Sequence, residues 1–179
     1  MDGQPRRADV PSGASYVSPL RHLAAVLLLP GVVTVGVPAL IVWQSDARLR
    51  PSAVVGIPLI AAGVVLVVST VALFVTVGRG TLAPWDPTTR LVVEGPYRYV
   101  RNPMISGVLF ILLGEAACFA SLPLLTWFAA VFAVNAVYLP LVEEPGLRRR
   151  FGAEYDEYAA HVPRWIPRLR PWTREEIGR

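Results

Sequence analysis

Two long apolar stretches occupy the first half of this chain. Residues 22–43 contain no acidic or basic side chain beyond His22, and residues 51–77 contain none. A helix rises about 1.5 Å per residue, so each stretch is long enough to cross a hydrocarbon core of about 30 Å. Both are therefore predicted to be transmembrane helices, over about residues 22–43 and 53–77.

A third apolar stretch, residues 103–142, is too long for one span. Glu115 is its only formal charge, and the segment Ala120-Ser121-Leu122-Pro123 interrupts it. A turn at this segment would fold the stretch into a hairpin of two helices, over about residues 104–120 and 122–142. The pattern thus predicts an all-α integral membrane protein with four transmembrane helices.

Composition agrees with this pattern. At 54% hydrophobic and 17% charged residues, the chain is too apolar for an ordinary soluble domain. Its 179 residues fit one domain. We expect a single membrane domain over residues 21–179, after a tail over residues 1–20 whose Pro, Ser, Gly and Asp content is typical of disorder.

A secretory signal peptide is the competing interpretation of the N-terminus. The polar tail is longer than a usual basic n-region. The segment Trp43-Gln44-Ser45-Asp46, which follows the first apolar stretch, lacks the small residues of a cleavage site. These features favour a first helix that is retained in the mature protein.

Positive charge is unevenly distributed along the chain. There is no lysine, and the net charge of +4 comes from arginine. Arginines are concentrated before the first span, between the second and third spans, and after Glu144. By the positive-inside rule, both termini and the middle loop face the cytoplasm, and we expect a multi-pass protein of a bacterial plasma membrane. The basic balance indicates attraction to anionic membrane lipids rather than to nucleic acid.

Two polar segments border the predicted loop over residues 78–103. Gly78-Arg79-Gly80-Thr81 is either a loop after a helix end or a place where a ligand approaches the backbone closely, because glycine has no Cβ. In the second segment, Arg98 and Arg101 either anchor the third span at the interface or hold a carboxylate or phosphate. Asn102 either caps that helix before Pro103 or hydrogen-bonds a ligand.

A third polar segment begins with the pair Glu143-Glu144 at the end of the fourth span. Adjacent carboxylates repel each other, and a helix C-terminus disfavours negative charge. Acids at such a position near a membrane span are usually functional. The pair therefore indicates a binding role toward a cationic group.

The chain after Glu144 has a helical pattern followed by a proline-rich end. One apolar stripe recurs at spacings of three and four residues and is formed by Leu147, Phe151, Tyr155, Tyr158 and Val162. Gly152 interrupts the stripe and predicts two short helices. The end of the chain carries Trp165 and Trp172 beside arginines, a composition that predicts an interfacial segment at the lipid headgroup level, within residues 143–172.

Other polar residues are isolated. No His, Cys or carboxylate cluster has the spacing of metal ligands, so no metal site is predicted. Glu115 lies within the third span, where an acid is either functional or joins two helices. In the second case Asn135 of the fourth span is its expected hydrogen-bond partner.

Taken in order, these segments resemble the membrane methyltransferases of the isoprenylcysteine carboxyl methyltransferase and phospholipid methyltransferase superfamily. The resemblance covers about residues 78–172, and its order and spacing make it specific. Its parts are the Gly-rich turn at 78–81, the block Gly95-Pro96-Tyr97-Arg98-Tyr99-Val100-Arg101-Asn102-Pro103, the hairpin of spans, Glu143-Glu144, the segment 151–158 and Val162-Pro163-Arg164. The family motif RHPxYxG aligns with Arg101 to Gly107, with Asn102 in the place of His and Ile105 in the place of Tyr.

This resemblance implies a bundle of transmembrane helices whose cytoplasmic ends and C-terminal segment enclose S-adenosylmethionine. The implied cofactor-binding residues are Gly78, Gly80, Arg101, Asn102, Pro103, Glu143, Glu144 and Tyr155. The implied catalytic residues are Glu143, Glu144, Arg98 and Arg164. In this interpretation the glutamates hold the cofactor's ammonium or ribose hydroxyls, and an arginine orients a carboxylate acceptor.

The expected function is methyl transfer from S-adenosylmethionine to a lipophilic or lipidated acceptor, first of all the carboxylate of an isoprenylcysteine-like substrate. A phospholipid or other amine is the alternative acceptor, and a glutamate would then serve as the base. Two further classes stay open, a non-catalytic membrane protein and a membrane reductase that uses a nicotinamide cofactor. The sequence does not determine the oligomeric state.

Overall fold

The computed structural model describes residues 30–76 and 91–173. The predicted N-terminal tail, the beginning of the first predicted span and Gly78 to Gly80 lie outside the described residues. Within the described ranges all regular structure is helical. In chain order it comprises a π turn (Val32–Gly36), α1 (Val37–Ser45), α2 (Ala53–Thr76), a 3₁₀ turn (Gly95–Arg98), α3 (Pro103–Phe119), α4 (Leu122–Tyr138), a π turn (Leu139–Glu143), α5 (Glu144–Phe151) and α6 (Ala153–His161).

Two helices of the described chain are long and apolar enough to cross a membrane. They are Ala53–Leu73, within α2, and Leu122–Phe151, which joins α4 to α5 through the second π turn. Two shorter apolar helices, Val32–Ser45 and Pro103–Phe119, accompany them. The all-helical prediction is confirmed for the described residues, whereas the four-span arrangement stays a prediction.

The hairpin between α3 and α4 forms where the sequence predicted it. α3 ends at Phe119, and Ala120 takes a left-handed conformation with φ of 45°. Ser121 then caps α4, since its hydroxyl accepts a hydrogen bond from the backbone N–H of Leu124 at 3.5 Å. Pro123 follows in the first turn, where its missing N–H costs nothing.

Glycines allow α2 and α3 to pack closely along their lengths. A Cβ added to Gly63 would lie 2.5 Å from the carbonyl oxygen of Gly107, and one added to Gly56 would lie 2.5 Å from that of Gly114. The two glycines of each helix are seven residues apart, so both contacts lie on one face. Small residues at such a face let helix backbones approach within van der Waals contact in lipid.

Polar contacts add to the packing of this pair and link α4 to the first π turn. Ser52 Oγ donates to the carbonyl of Ala117 at 2.6 Å, next to the hairpin. Trp127 of α4 donates from Nε1 to the carbonyl of Val33 at 3.0 Å. The expected bond between Glu115 and Asn135 is absent, because Asn135 Nδ2 instead donates to the carbonyl of Val131 in its own helix at 2.8 Å.

A second, smaller core lies beyond the apolar helices. Tyr155, Tyr158, Val162 and Trp172 form a buried cluster, and Leu147 and Phe151 pack partly against it. The predicted apolar stripe is thus confirmed. Gly152 separates α5 from α6 with φ of 54° and ψ of −130°, a conformation that glycine adopts without steric cost.

The two C-terminal tryptophans are half-buried or buried, while the interfacial placement of their segment stays a prediction. Trp172 belongs to the buried cluster and is only 4% exposed. Trp165 packs on Phe132 of α4, with ring centroids 5.4 Å apart. Both side chains are therefore used in packing, because the chain after α6 folds back over the helix ends.

Candidate functional site

The segment before α3 and the segment after α6 are joined through their backbones. Trp172 N–H donates to the carbonyl of Arg98 at 2.9 Å, and Arg101 N–H donates to the carbonyl of Pro163 at 2.9 Å. Arg98 Nε in turn donates to the carbonyl of Trp172 at 2.8 Å. These bonds hold residues 98–101 against residues 163–172 and so bring distant arginines together.

The carboxylate of Glu144, at the start of α5, binds one arginine from each of these two segments. Arg164 donates to both carboxylate oxygens, from Nε to Oε1 at 2.6 Å and from Nη2 to Oε2 at 2.9 Å. Arg101 Nη1 donates to Oε1 at 3.1 Å. The side chains of Glu144 and Arg101 are only 12% and 15% exposed, so solvent screens this pairing little. We call Arg101, Glu144 and Arg164 the carboxylate cluster. The hydrogen bond that Arg164 donates to Glu144 raises the pKa of the Arg164 guanidinium.

Two buried tyrosines line the cluster on the α6 side. Burial raises the pKa of the Tyr155 hydroxyl, and the nearby Glu144 carboxylate raises it further. Burial also raises the pKa of Tyr158, whose hydroxyl donates to the carbonyl of Tyr97 at 2.8 Å. Both hydroxyls are therefore neutral near pH 7 and can act as hydrogen-bond donors.

Two donors at the start of α3 are buried without a hydrogen-bond partner among the described residues. They are Arg101 Nε and Asn102 Nδ2. Asn102 occupies the N-cap position of α3, but its side chain makes no capping hydrogen bond. The helix-cap interpretation of Asn102 is therefore wrong. An unsatisfied buried donor costs about 1–3 kcal/mol, and each group would lose that cost if a ligand oxygen reached it.

The two adjacent glutamates have different surroundings. Glu144 is buried and paired with two arginines. Glu143 is half-buried, and within the described part of the chain no hydrogen bond or ion pair reaches its carboxylate. Glu143 can therefore accept hydrogen bonds from a cationic ligand group, whereas Glu144 already holds the arginines in place.

The structure gathers most of the predicted site residues and separates one of them. Arg101, Glu144, Tyr155 and Arg164 lie together. Asn102 and Glu143 are the sequence neighbours of two of them, and Pro103 is buried as the first residue of α3. Gly78 and Gly80 lie outside the described residues. Arg98 lies apart from the carboxylate cluster, bound to the carbonyl of Trp172.

The site residues predicted from the sequence do not include Tyr158, Trp172 or Glu94. These residues line a cleft of about 620 Å³ next to the cluster, together with residues 91, 93, 95, 98, 154 and 173. No sequence pattern links residue 94 to residue 172, because the cleft forms only when the backbones of the two segments pair. The available signal in the sequence is the group of aromatic residues near the C-terminus, which predicts membrane contact instead.

Comparison with known families identifies the central part of the chain. A family model described as phospholipid methyltransferase matches residues 51–154, more than half of the sequence. The match runs from the start of α2 into α6 and includes Arg101, Asn102, Glu143 and Glu144. It confirms the resemblance that the sequence motifs indicated. A comparison with curated proteins finds no match.

Proposed function

Because the chain belongs to the phospholipid methyltransferase family of membrane methyltransferases, we propose that it transfers the methyl group of S-adenosylmethionine to a lipophilic acceptor. The observation that carries this proposal is the pair of unsatisfied buried donors, Arg101 Nε and Asn102 Nδ2, beside the carboxylate cluster. A site with two donors and a nearby unpaired carboxylate fits the amino-acid end of this cofactor. When bound, the cofactor supplies a methyl group on a positively charged sulfur.

Each residue then has a separate task. Arg101 Nε and Asn102 Nδ2 hold the cofactor's carboxylate, and Glu143 accepts hydrogen bonds from its ammonium group. Glu144 is a positioning residue, since its two oxygens fix the guanidinium groups of Arg101 and Arg164. The buried rings of Tyr155 and Tyr158 limit the access of water on the α6 side. Catalysis of this kind depends on positioning and on exclusion of water.

The membrane arrangement is part of the proposal. Four spans would be formed by residues 22–43, α2, α3 and α4, with both termini in the cytoplasm and residues 21–179 as one domain. The Leu122–Phe151 helix supports this placement, because 30 residues span about 45 Å and exceed a hydrocarbon core of about 30 Å. Its charged end, which carries Glu143 and Glu144, would then project to the cytoplasmic interface, where a lipid acceptor meets a water-soluble cofactor.

A phospholipid amine is the second candidate acceptor, beside the carboxylate of an isoprenylcysteine-like substrate. The description of the matching family supports the amine. The pairing of Arg164 supports it too, because the Nε and Nη2 donors of this guanidinium already bind Glu144 as a pair, and that paired edge is not open to a substrate carboxylate. An amine must lose a proton before it attacks, and Glu143 would then serve as the base instead of binding the cofactor's ammonium group.

Transfer of a radioactive methyl group tests the proposal. The purified protein in lipid nanodiscs would receive S-adenosylmethionine labelled in its methyl group, with either bacterial phospholipids or a farnesylated cysteine derivative. We expect label in the lipid fraction, at a rate that falls in Glu143→Gln. Alkali releases label from a methyl ester but not from an N-methyl amine, and so identifies the acceptor class. Absence of label in both acceptor classes, from a protein that binds the cofactor, would contradict a lipophilic acceptor of either kind.

A further inference from the structure

Two apolar side chains after α6 point away from the protein. Residues 163–171 have no regular secondary structure, and within them Ile166 is 78% exposed and Leu169 is 100% exposed. They are the two exposed large apolar side chains of residues 143–173, whereas Leu147 and Phe151 pack against the small buried core. The fold therefore leaves a local apolar surface here that the described chain does not cover.

The same residues lie against the apolar part of α4. Arg164 binds Glu144, near the end of the long apolar helix, while the next residue, Trp165, packs on Phe132 with ring centroids 5.4 Å apart. Phe132 lies about 18 Å along this helix from Glu144, at about 1.5 Å per residue. The contact therefore draws residues 163–171 along the helix, toward the hydrocarbon region of the proposed membrane arrangement and not out into the cytoplasm.

The backbone of residues 163–171 suits the surface of a membrane. Unpaired backbone groups are costly in hydrocarbon, so an irregular segment fits at the headgroup level with its side chains reaching further in. Prolines at positions 163, 167 and 171 have no N–H group and so reduce the number of backbone donors that need a partner. Arg168 N–H is already paired, since it donates to the carbonyl of Tyr99 at 3.0 Å.

Positive charge accompanies the exposed apolar side chains. Arg170 is exposed and follows Leu169 directly, and residues 158–173 contain no acidic residue. An arginine beside an inserted leucine can bind a lipid phosphate while its neighbour enters the acyl region. Anionic lipid therefore fits both features, the exposed apolar surface and the exposed cation.

We propose that residues 163–171 form an interfacial strap, in which Ile166 and Leu169 insert between the acyl chains of the cytoplasmic leaflet and Arg170 binds the phosphate of an anionic lipid. The strap also carries Arg164, whose guanidinium binds both oxygens of Glu144. The leaflet thereby helps to hold this arginine at the carboxylate cluster. The inference rests on the proposed membrane arrangement and does not depend on the identity of the cofactor or the acceptor.

Fluorescence quenching of the full chain in lipid nanodiscs tests the insertion. In a Cys118→Ala background, Ile166→Cys and Leu169→Cys would each be labelled with bimane. We expect both labels to lose fluorescence when the nanodisc lipids carry a doxyl group on the acyl chain, and to resist quenching by aqueous iodide. Both native side chains are exposed, so these substitutions should leave the fold intact.

Ala160→Cys is the matched control, because Ala160 is exposed on the face of α6 opposite Tyr155 and Tyr158. Its label should respond to iodide and not to the doxyl lipid. The proposal is overturned if the labels at positions 166 and 169 behave like this control, since the strap would then face water. Resistance of both labels to both quenchers would overturn it as well, because a second copy or another protein would then cover the strap.

Doxyl-labelled phosphatidylglycerol and phosphatidylcholine, compared at equal content, test the role of charge. Arg170 should enrich the anionic lipid around the strap, so phosphatidylglycerol should quench the label of Leu169→Cys more strongly. Adding Arg170→Gln should reduce this preference by up to about fivefold, the contribution of one arginine near a membrane surface. Adding Arg149→Gln, an exposed position on α5 outside the strap, should leave the preference unchanged. Equal quenching by the two lipids before either arginine is changed would overturn the assignment of an anionic lipid to Arg170.

Discussion

At the scale of single residues, Glu143 and Glu144 show which site roles can be predicted from the sequence and which cannot. Their adjacency at the end of an apolar helix predicted a binding role for both. Local sequence does not distinguish the two acids, because the partners of Glu144 lie 43 and 20 residues away in the chain. In the structure one acid is a paired, buried anchor and the other is unpaired among the described residues.

Neutralising each acid should therefore have different effects on stability. Glu144→Gln leaves two guanidinium groups without their carboxylate. Breaking a buried pair costs about 3–5 kcal/mol, but Arg164 is 30% exposed, so we expect about 2 kcal/mol and a melting temperature several degrees lower. Glu143→Gln should leave the melting temperature nearly unchanged. Equal melting temperatures for the two variants would contradict the anchoring role of Glu144.

Both variants should also bind S-adenosylmethionine more weakly than the wild type. Glu143→Gln removes a charge-assisted hydrogen bond to the ammonium group, which is worth about 1.5–3 kcal/mol. Glu144→Gln acts indirectly, through displaced arginines. Calorimetric titration of the two purified variants measures these losses, and wild-type affinity in Glu143→Gln would remove that residue from the site.

Asn102 offers the sharpest single-residue test, since its side chain makes no capping bond in the structure. Asn102→Ala should lower S-adenosylmethionine affinity by about 1–2 kcal/mol while the free energy of unfolding changes little. A true N-cap would show the reverse pattern, with about 1 kcal/mol of stability lost and the affinity kept. Thermal unfolding and ligand titration of one preparation distinguish the two patterns.

At the scale of helices, the hydrophobic pattern predicted the main boundaries well. The hairpin turn at Ala120 and Ser121 and the break at Gly152 both appear in the structure. Local chemistry sets these positions, so they can be read from the sequence. The register between α2 and α3 cannot be read in the same way, since it depends on which glycines of two distant helices face each other.

Gly63 tests this register. Gly63→Ala would place a methyl group 2.5 Å from the carbonyl oxygen of Gly107, and such overpacking costs about 1–3 kcal/mol. Gly31→Ala is the matched control, because nothing lies within 4 Å of an added Cβ there. We expect a lower melting temperature in detergent for the first variant only. Equal stability of both variants would show that α2 and α3 pack in another register.

At the scale of the whole molecule, the proposed site requires the segment before α3 and the segment after α6 on one side of the membrane. The backbone bonds between residues 98–101 and 163–172 meet this requirement. The sequence predicted the shared side from arginine distribution alone. It did not predict the direct pairing of the two segments, which arises from the fold of the chain after α6.

Cysteine labelling in intact cells tests the topology. In a Cys118→Ala background, a cysteine at exposed Arg48 should react with a membrane-impermeant thiol reagent. Cysteines at exposed Arg149 and Arg170 should react only after the membrane is permeabilised. Reaction at Arg170 but not at Arg48 in intact cells would invert the proposed orientation.

The most direct test of the central claim is a comparison of cofactors on the purified protein. S-adenosylmethionine and NADPH would each be titrated into the wild type and Glu143→Gln in detergent. We predict saturable S-adenosylmethionine binding to the wild type, roughly tenfold to a hundredfold weaker binding to Glu143→Gln, and no NADPH binding. A wild-type protein that binds NADPH, or that binds neither compound, would contradict the account of this chain as an S-adenosylmethionine-dependent membrane methyltransferase.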